Sequence, residues 1–214
     1  MKLLPLPLLF LLTAACQSPP DRPTEPAATP ASSAPVPDTT APMSPATSPA
    51  TLALTTNALQ LVRAETGSTT EIPLGRPFEQ LVQTVTDVLG QPPASVGVNG
   101  ECGAGPLKMA TWASGLTLAF QEKVRGEAAP RREWQFVGWS LNRGRGAGRP
   151  PTTMAGVGLG STRAEVESAY VITVVESSLG YEFSTTSGLY GLFDGAGPQA
   201  RVSALWSGTS CVFR

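Results

Sequence analysis

Residues that could perform catalysis are scarce in this 214-residue chain. It has no histidine, so the usual imidazole general base is absent. Hydrolysis by paired carboxylates needs two acids brought together in space, and no spacing in the chain singles out a pair. The candidate acids are Asp87, Glu101, Glu165, Glu182 and Asp194. We therefore predict that the protein is not an enzyme, with a small hydrolase acting through an unrecognised carboxylate site as the alternative.

Metal, cofactor and nucleic-acid sites are not predicted either. The usual zinc ligands are missing because there is neither a histidine nor a cysteine cluster. The Gly-rich segment 156–160 lacks both the Lys-Ser/Thr ending of a phosphate loop and dinucleotide-binding spacing. The chain carries 15 basic and 16 acidic residues, and this near balance argues against a nucleic-acid partner. We expect no cofactor.

The first 15 residues have the order of a secretory signal peptide. Lys2 supplies a charged start, an apolar run follows from Leu3 to Leu12, and small residues precede Cys16. The run is too short to span a bilayer, which needs about 20 apolar residues. An ordinary signal peptide with a chance cysteine at its end is the alternative interpretation.

The segment 12–16, Leu-Thr-Ala-Ala-Cys, resembles a bacterial lipobox. The resemblance implies that residues 1–15 are removed and that Cys16 becomes the lipidated first residue of the mature protein. It also implies a location in the cell envelope, outside the cytoplasm, with a membrane as a partner through the lipid. Gln17, rather than Asp, follows the cysteine, which by the sorting rule of enterobacterial lipoproteins favours the outer membrane where the organism has one.

Residues 16–52 are predicted to form the lipidated N-terminus and a disordered linker. The segment consists mostly of Pro, Ala, Ser and Thr, with few large apolar side chains. Such a composition buries too little apolar surface to offset the entropy lost on ordering. Residues 53–214 are then long enough for one folded domain.

Two further cysteines, Cys102 and Cys211, lie in the predicted domain. An exported location is oxidising, and an even pair there favours a disulfide. Two separate buried thiols are the alternative. We predict a Cys102–Cys211 bridge.

The segment 123–149 is rich in basic residues with aromatic residues between them. Tryptophan and arginine are favoured anchors in protein interfaces, so this stretch is a candidate surface for an acidic envelope protein or an anionic envelope polymer. The candidate residues are Arg131, Arg132, Trp134, Trp139, Arg143 and Arg145. The alternative is that Trp134 and Phe136 share a strand face and pack into the core, while the arginines lie in Gly-rich loops.

Two windows, 72–81 and 157–166, align without gaps, and each is typical of a strand end, a Gly turn and a helix start. The first helix is predicted to have Pro77 in its opening turn, an apolar face that runs from Phe78 to Leu89, and a stop at Gly90. The second begins with capping-box spacing at Thr162 and Glu165. Several strands are predicted after each helix. The sequence thus favours an α+β domain of two tandem helix-plus-antiparallel-strand units, at about 59–145 and 152–214, unless the match between the windows is chance.

The pattern 157–166 is similar to the repeat of β-lactamase inhibitory proteins and to the small outer-membrane assembly lipoproteins called BamE or SmpA. It covers about a dozen residues in each half, and the first half departs from it at Arg76 and Pro77. The resemblance implies protein binding through a sheet face. We predict an uncharacterised envelope lipoprotein that presents a non-catalytic binding or assembly domain, with an envelope hydrolase or an inhibitor of a secreted enzyme as alternatives.

Overall fold

The computed structural model describes residues 49–126, 130–146 and 148–211. The predicted signal peptide, Cys16 and the linker as far as residue 48 lie outside the described residues. The described chain forms twelve strands and two helices. In chain order these are β1 (Ala50–Leu54), β2 (Ala58–Arg63), β3 (Thr69–Pro73), α1 (Phe78–Leu89), β4 (Ser95–Asn99), β5 (Leu107–Thr111), β6 (Leu116–Arg125), β7 (Arg131–Leu141), β8 (Thr152–Thr153), α2 (Arg163–Ala169), β9 (Ile172–Ser177), β10 (Gly180–Thr185), β11 (Leu189–Phe193) and β12 (Val202–Gly208).

The predicted α+β class with tandem helix-plus-strand units is wrong, because the structure is mostly β. Strands account for 47% of the described residues and helices for 12%. Eight antiparallel strands form one continuous sheet in the order β4-β5-β6-β7-β12-β11-β10-β9. A second sheet has the order β3-β2-β1-β8 and is built mainly from the meander β1–β3, which was not predicted as a separate sheet.

Residues at the helix ends explain where the two helices start and stop. Helix α1 buries Phe78, Leu81 and Val85 at helical spacing, and its C-cap is Gly90. Helix α2 begins with the predicted capping box between Thr162 and Glu165. Hydrogen bonds from the Thr162 backbone and side chain lower the pKa of the Glu165 carboxyl. The α2 helix has only seven residues, which explains why helices contribute so little to the class.

One main core lies on a single face of the eight-stranded sheet. Side chains alternate along each strand, so Leu118 and Phe120 of β6 face this core while Ala119 between them faces the opposite side. Helices α1 and α2 and the four-stranded sheet all contribute buried residues to the same cluster. Full burial of one such leucine or phenylalanine contributes about 1.5–3 kcal/mol relative to exposure.

The turn between β1 and β2 is attached to the middle of the large sheet. The indole Nε1–H of Trp139 donates to the Thr55 carbonyl oxygen at 2.7 Å. The hydroxyl of Ser207 lies within hydrogen-bonding distance of the carbonyl oxygens of Thr56 and Gly188, and its single O–H can donate to either. The four-stranded sheet is therefore part of the domain, and residues 50–52, predicted as the end of the linker, belong to strand β1.

The two windows that align in sequence have a similar local conformation. In each, an isolated bridge, at Pro77 in one and Thr162 in the other, directly precedes the first residue of a helix. The likeness is local, since α1 has 12 residues and α2 has seven. Neither helix is long and apolar enough to cross a membrane.

Candidate functional site

The predicted disulfide is present. The Sγ atoms of Cys102 and Cys211 are 2.05 Å apart, and the Cα atoms are 5.2 Å apart. The bridge ties the segment between β4 and β5 to the residues that follow β12. Together with Leu107 and Ala119 it forms a small apolar cluster on the face of the sheet opposite the main core.

The predicted basic-aromatic surface begins at the hairpin of β6 and β7. Arg131 and Arg132 are exposed at the start of β7. The Arg132 guanidinium pairs with the Glu122 carboxylate on the neighbouring strand at 2.7 Å. An exposed pair of this kind contributes about 0–1 kcal/mol, but it does neutralise the charge that Arg132 would offer to a partner.

The tryptophans of this stretch belong to the core rather than to an interface. Trp139 is only 1% exposed, and Phe136 is fully buried. Trp134 is half-buried and packs against the same core cluster. The proposal that Trp139 anchors a partner is therefore wrong, because its side chain fills the space between the two sheets. Trp134 and Phe136 contribute to the same core cluster, as the alternative interpretation expected, whereas Arg131 and Arg132 lie in strand β7 and not in a Gly-rich loop.

The six candidate residues do not form one surface. Strand β7 has 11 residues, so at about 3.3 Å per residue its two ends are about 30 Å apart. Arg131 and Arg132 are at the first end, and Arg143 and Arg145 follow the second. The structure thus separates the predicted surface into a hairpin end and a loop end.

The loop end packs closely against the turn between β5 and β6. The Gly146 N–H donates to the Ala113 carbonyl oxygen at 3.2 Å, and the Asn142 N–H donates to the Gly115 carbonyl oxygen at 3.1 Å. A Cβ atom on Gly144 would overlap the Ala113 carbonyl oxygen and would lie 2.6 Å from the Ser114 carbonyl carbon. Only glycine allows the two loops to approach this closely.

Two neighbouring cavities open beside this loop, and Arg143 and Gly144 line both of them. The first, which we call the inner cavity, measures about 370 Å³ and is also lined by Ser114, Asp194, Arg201 and Ser203. The second, the outer cavity, measures about 450 Å³ and is also lined by Ser95, Thr111, Trp112 and Arg145. Both volumes fall in the range of about 300–1,000 Å³ that is typical of ligand sites. We call the pair of cavities the arginine groove.

Positive charge is available along this groove. Arg143 and Arg145 are exposed, and within the described part of the chain neither guanidinium has a hydrogen-bond or ion-pair partner. Arg201 is positioned by a 2.7 Å hydrogen bond from its Nη1 to the Gly160 carbonyl oxygen. Asp194 accepts the Arg201 backbone N–H on its Oδ1 at 2.6 Å. Three arginines and one carboxylate thus line the groove.

Sequence reasoning found Arg143 and Arg145 but missed Arg201, Ser114 and Asp194 as neighbours of theirs. Arg201 is far from Arg143 in the chain and reaches the same groove only because β12 pairs with β7. The pairing of Leu205 with Leu141 places the start of β12 beside the end of β7. No local signal in the sequence indicates that pairing.

The candidate carboxylates are dispersed. Asp194 lines the inner cavity, which contains no second carboxylate. Glu165 serves the α2 capping box. Among the described residues, no three Cys, Asp or Glu side chains are grouped so as to hold a metal ion.

Comparison with known proteins does not assign the chain to a family. No protein-family model matches the chain, and neither a curated protein nor a solved structure is significantly similar to it.

Proposed function

We propose that this protein is a lipid-anchored envelope protein whose domain binds an anionic envelope polymer in the arginine groove without catalysing a reaction. The observation that carries the proposal is the set of three arginines on two adjoining cavities, two of them without partners among the described residues. An unpaired guanidinium presents five N–H donors in a planar fork that fits carboxylate and phosphate oxygens. Charge-assisted hydrogen bonds of this kind are about twice as strong as neutral ones.

The shape of the site favours a polymer over a single small ion. Arg143 lies at the junction of the inner and outer cavities, with Arg201 on one side and Arg145 on the other. A chain with repeated anionic groups can therefore contact successive arginines, and each contact raises the effective concentration of the next.

Binding is better supported than hydrolysis. A paired-carboxylate hydrolase requires two acids flanking the bond that is cleaved. The groove offers Asp194 alone in the inner cavity, together with donors suited to holding an anion.

The anchor is the second part of the proposal. Lipid on Cys16 would attach the protein to a membrane outside the cytoplasm. Cys16→Ser is expected to move the protein from the membrane fraction to the soluble fraction of broken cells, as followed by immunoblotting. Persistence of this variant in the membrane fraction at the wild-type level would contradict lipid anchoring.

Retention on isolated envelope tests the groove. Full-length protein in mild detergent is passed over envelope material, and the bound fraction is measured as salt is raised. The triple variant Arg143→Ser, Arg145→Ser, Arg201→Ser is expected to lose at least about tenfold in retention, since about 1.4 kcal/mol corresponds to tenfold and hydrogen bonds to charged groups contribute about 1.5–3 kcal/mol each.

The hairpin end supplies the matched control. Arg131→Ser with Arg132→Ser removes exposed arginines about 30 Å away along β7 and is expected to leave retention within about twofold of the wild type. Equal retention by the groove variant and the wild type, with both folded by circular dichroism, would exclude the groove as the binding site. Loss of retention in the hairpin variant alone would transfer the site to the hairpin.

A further inference from the structure

The inner cavity of the arginine groove combines anion-binding groups with groups that bind hydroxyls. Arg143 and Arg201 supply cationic donors, and Ser114 supplies a hydroxyl. The Ser203 hydroxyl donates to the Leu192 carbonyl oxygen, so it is left as an acceptor. Asp194 contributes the opposite charge, and its carboxylate can only accept hydrogen bonds. A ligand that pairs with all of these side chains must carry both an anionic group and hydrogen-bond donors.

Ser114 is the second, independent indication of a ligand. Its side chain is 3% exposed, and its Oγ has no hydrogen-bond partner among the described residues. Buried hydroxyl groups in folded proteins are nearly always hydrogen-bonded, so an unpartnered one requires an explanation. Ser114 and Gly148 both line the inner cavity, and a Cβ added to Gly148 would come within 3.8 Å of the Ser114 Cβ. A hydroxyl-bearing ligand in the cavity would supply the missing partner.

Asp194 distinguishes between the kinds of anion that the groove could bind. A phosphate polymer carries charge on every unit and few hydrogen-bond donors, so the Asp194 carboxylate would repel it. A sugar acid carries one carboxylate and several hydroxyls on each ring. Its carboxylate can accept from the arginines while a ring hydroxyl donates to Asp194.

We propose that the groove binds an acidic polysaccharide built from uronic acid units, a proposal that rests on the function proposed above. One sugar unit occupies the inner cavity, with its carboxylate on Arg143 and Arg201 and its hydroxyls on Asp194 and Ser114. The next unit lies in the outer cavity beside Arg145. Phosphate-containing polymers and acidic proteins are the competing occupants, and the experiment separates them.

Titration calorimetry of the full-length protein in detergent, at low and at physiological salt, tests this inference. The probes are a short oligogalacturonate, a neutral oligosaccharide of the same length, inorganic polyphosphate and an acidic peptide. We expect oligogalacturonate to bind at least tenfold more tightly than the other three. Arg143→Gln, which removes a guanidinium without a partner in the described residues, is expected to weaken oligogalacturonate binding about tenfold. Arg131→Gln is the matched control and is expected to leave it unchanged.

Two further variants test the proposed contacts between the sugar hydroxyls and the side chains of Asp194 and Ser114. Asp194→Asn keeps an oxygen that can accept the Arg201 N–H, so the turn is preserved. It is expected to weaken oligogalacturonate and to strengthen polyphosphate. Ser114→Ala is expected to weaken oligogalacturonate while leaving the melting temperature unchanged or higher, because it removes an unsatisfied hydroxyl.

The outcomes separate this inference from the proposed function. Tighter binding of polyphosphate or of the acidic peptide, lost in Arg143→Gln, would overturn the polysaccharide while the anion-binding function stands. Failure of every anionic probe, together with unchanged envelope retention in the groove variant, would overturn both. Unchanged oligogalacturonate affinity in Asp194→Asn and Ser114→Ala would refute the placement of the sugar in the inner cavity.

Discussion

Replacing Cys102 and Cys211 together with alanine is expected to lower the free energy of unfolding by up to about 4.7 kcal/mol. The two cysteines are 109 residues apart, so the bridge closes a loop that holds most of the large sheet. In the chain-entropy view, closing a loop of about 100 residues removes that much conformational freedom from the unfolded chain. Typical domains are stable by about 5–15 kcal/mol in total, so the loss would leave a marginal fold.

Urea unfolding followed by tryptophan fluorescence measures this effect. Wild-type protein reduced before unfolding serves as the matched control, because it has the same side chains without the bond. Both samples are expected to unfold at lower urea than the oxidised wild type. A difference below about 1 kcal/mol between oxidised and reduced protein would contradict the claim that the bridge stabilises the domain.

Gly115→Ala is expected to destabilise the domain by about 4 kcal/mol or more, at the upper limit for a single substitution. Gly115 turns the chain between β5 and β6 with φ of +92°, a conformation that costs an L-residue about 1–2 kcal/mol. An added Cβ would also overlap the Asn142 carbonyl oxygen and lie 2.8 Å from the Gly144 nitrogen. The methyl group would therefore separate the two loops that form the arginine groove.

Gly105→Ala provides the control for backbone strain alone. Gly105 has nearly the same φ, +90°, but a Cβ there meets nothing within 4 Å. We expect it to cost about 1–2 kcal/mol, as measured by thermal or urea unfolding. Equal losses of unfolding free energy in the two variants would show that the close approach of Gly115 to Asn142 and Gly144 does not contribute to stability. The two loops would then not be tightly packed at the wall of the groove.

The features predicted correctly from the sequence depend on local signals. Helix α1 is predictable because its apolar spacing from Phe78 to Leu89 and the following Gly90 are both visible in a short window, although Pro77 is its N-cap rather than part of its first turn. The α2 capping box follows from the identities of Thr162 and Glu165. The disulfide was predicted because only two cysteines remain after Cys16.

The fold class was wrong because short strands carry weak signals. Strand β1, Ala50–Leu54, has the Ala and Thr content of the linker before it, so composition placed the domain boundary too late. Strand β4, Ser95–Asn99, is short and almost entirely exposed at the sheet edge, and its two valines, Val96 and Val98, are both exposed. Such strands are formed by their neighbours, and tertiary context decides their conformation.

The candidate site was partly predictable for the same reason. Basic residues between 123 and 149 are visible in the sequence, but their grouping depends on which ends of the strands meet. Strand β7 carries Arg131 and Arg143 to opposite ends, and the pairing of β7 with β12 brings Arg201 to the second of them. These strand pairings join residues far apart in the chain. Neither the spacing of apolar residues nor the local composition indicates them.

Hydrogen exchange with and without bound polymer tests whether the arginine groove is the binding site. Full-length protein in detergent is labelled with and without the acidic polymer fraction of its own envelope, and exchange is read by peptide mass. We expect slower exchange in residues 112–115, 142–146 and 200–203, which form the walls of the arginine groove, and no change at the β6–β7 hairpin end. Protection confined to that hairpin end, or no protection in any segment at saturating polymer, would contradict it.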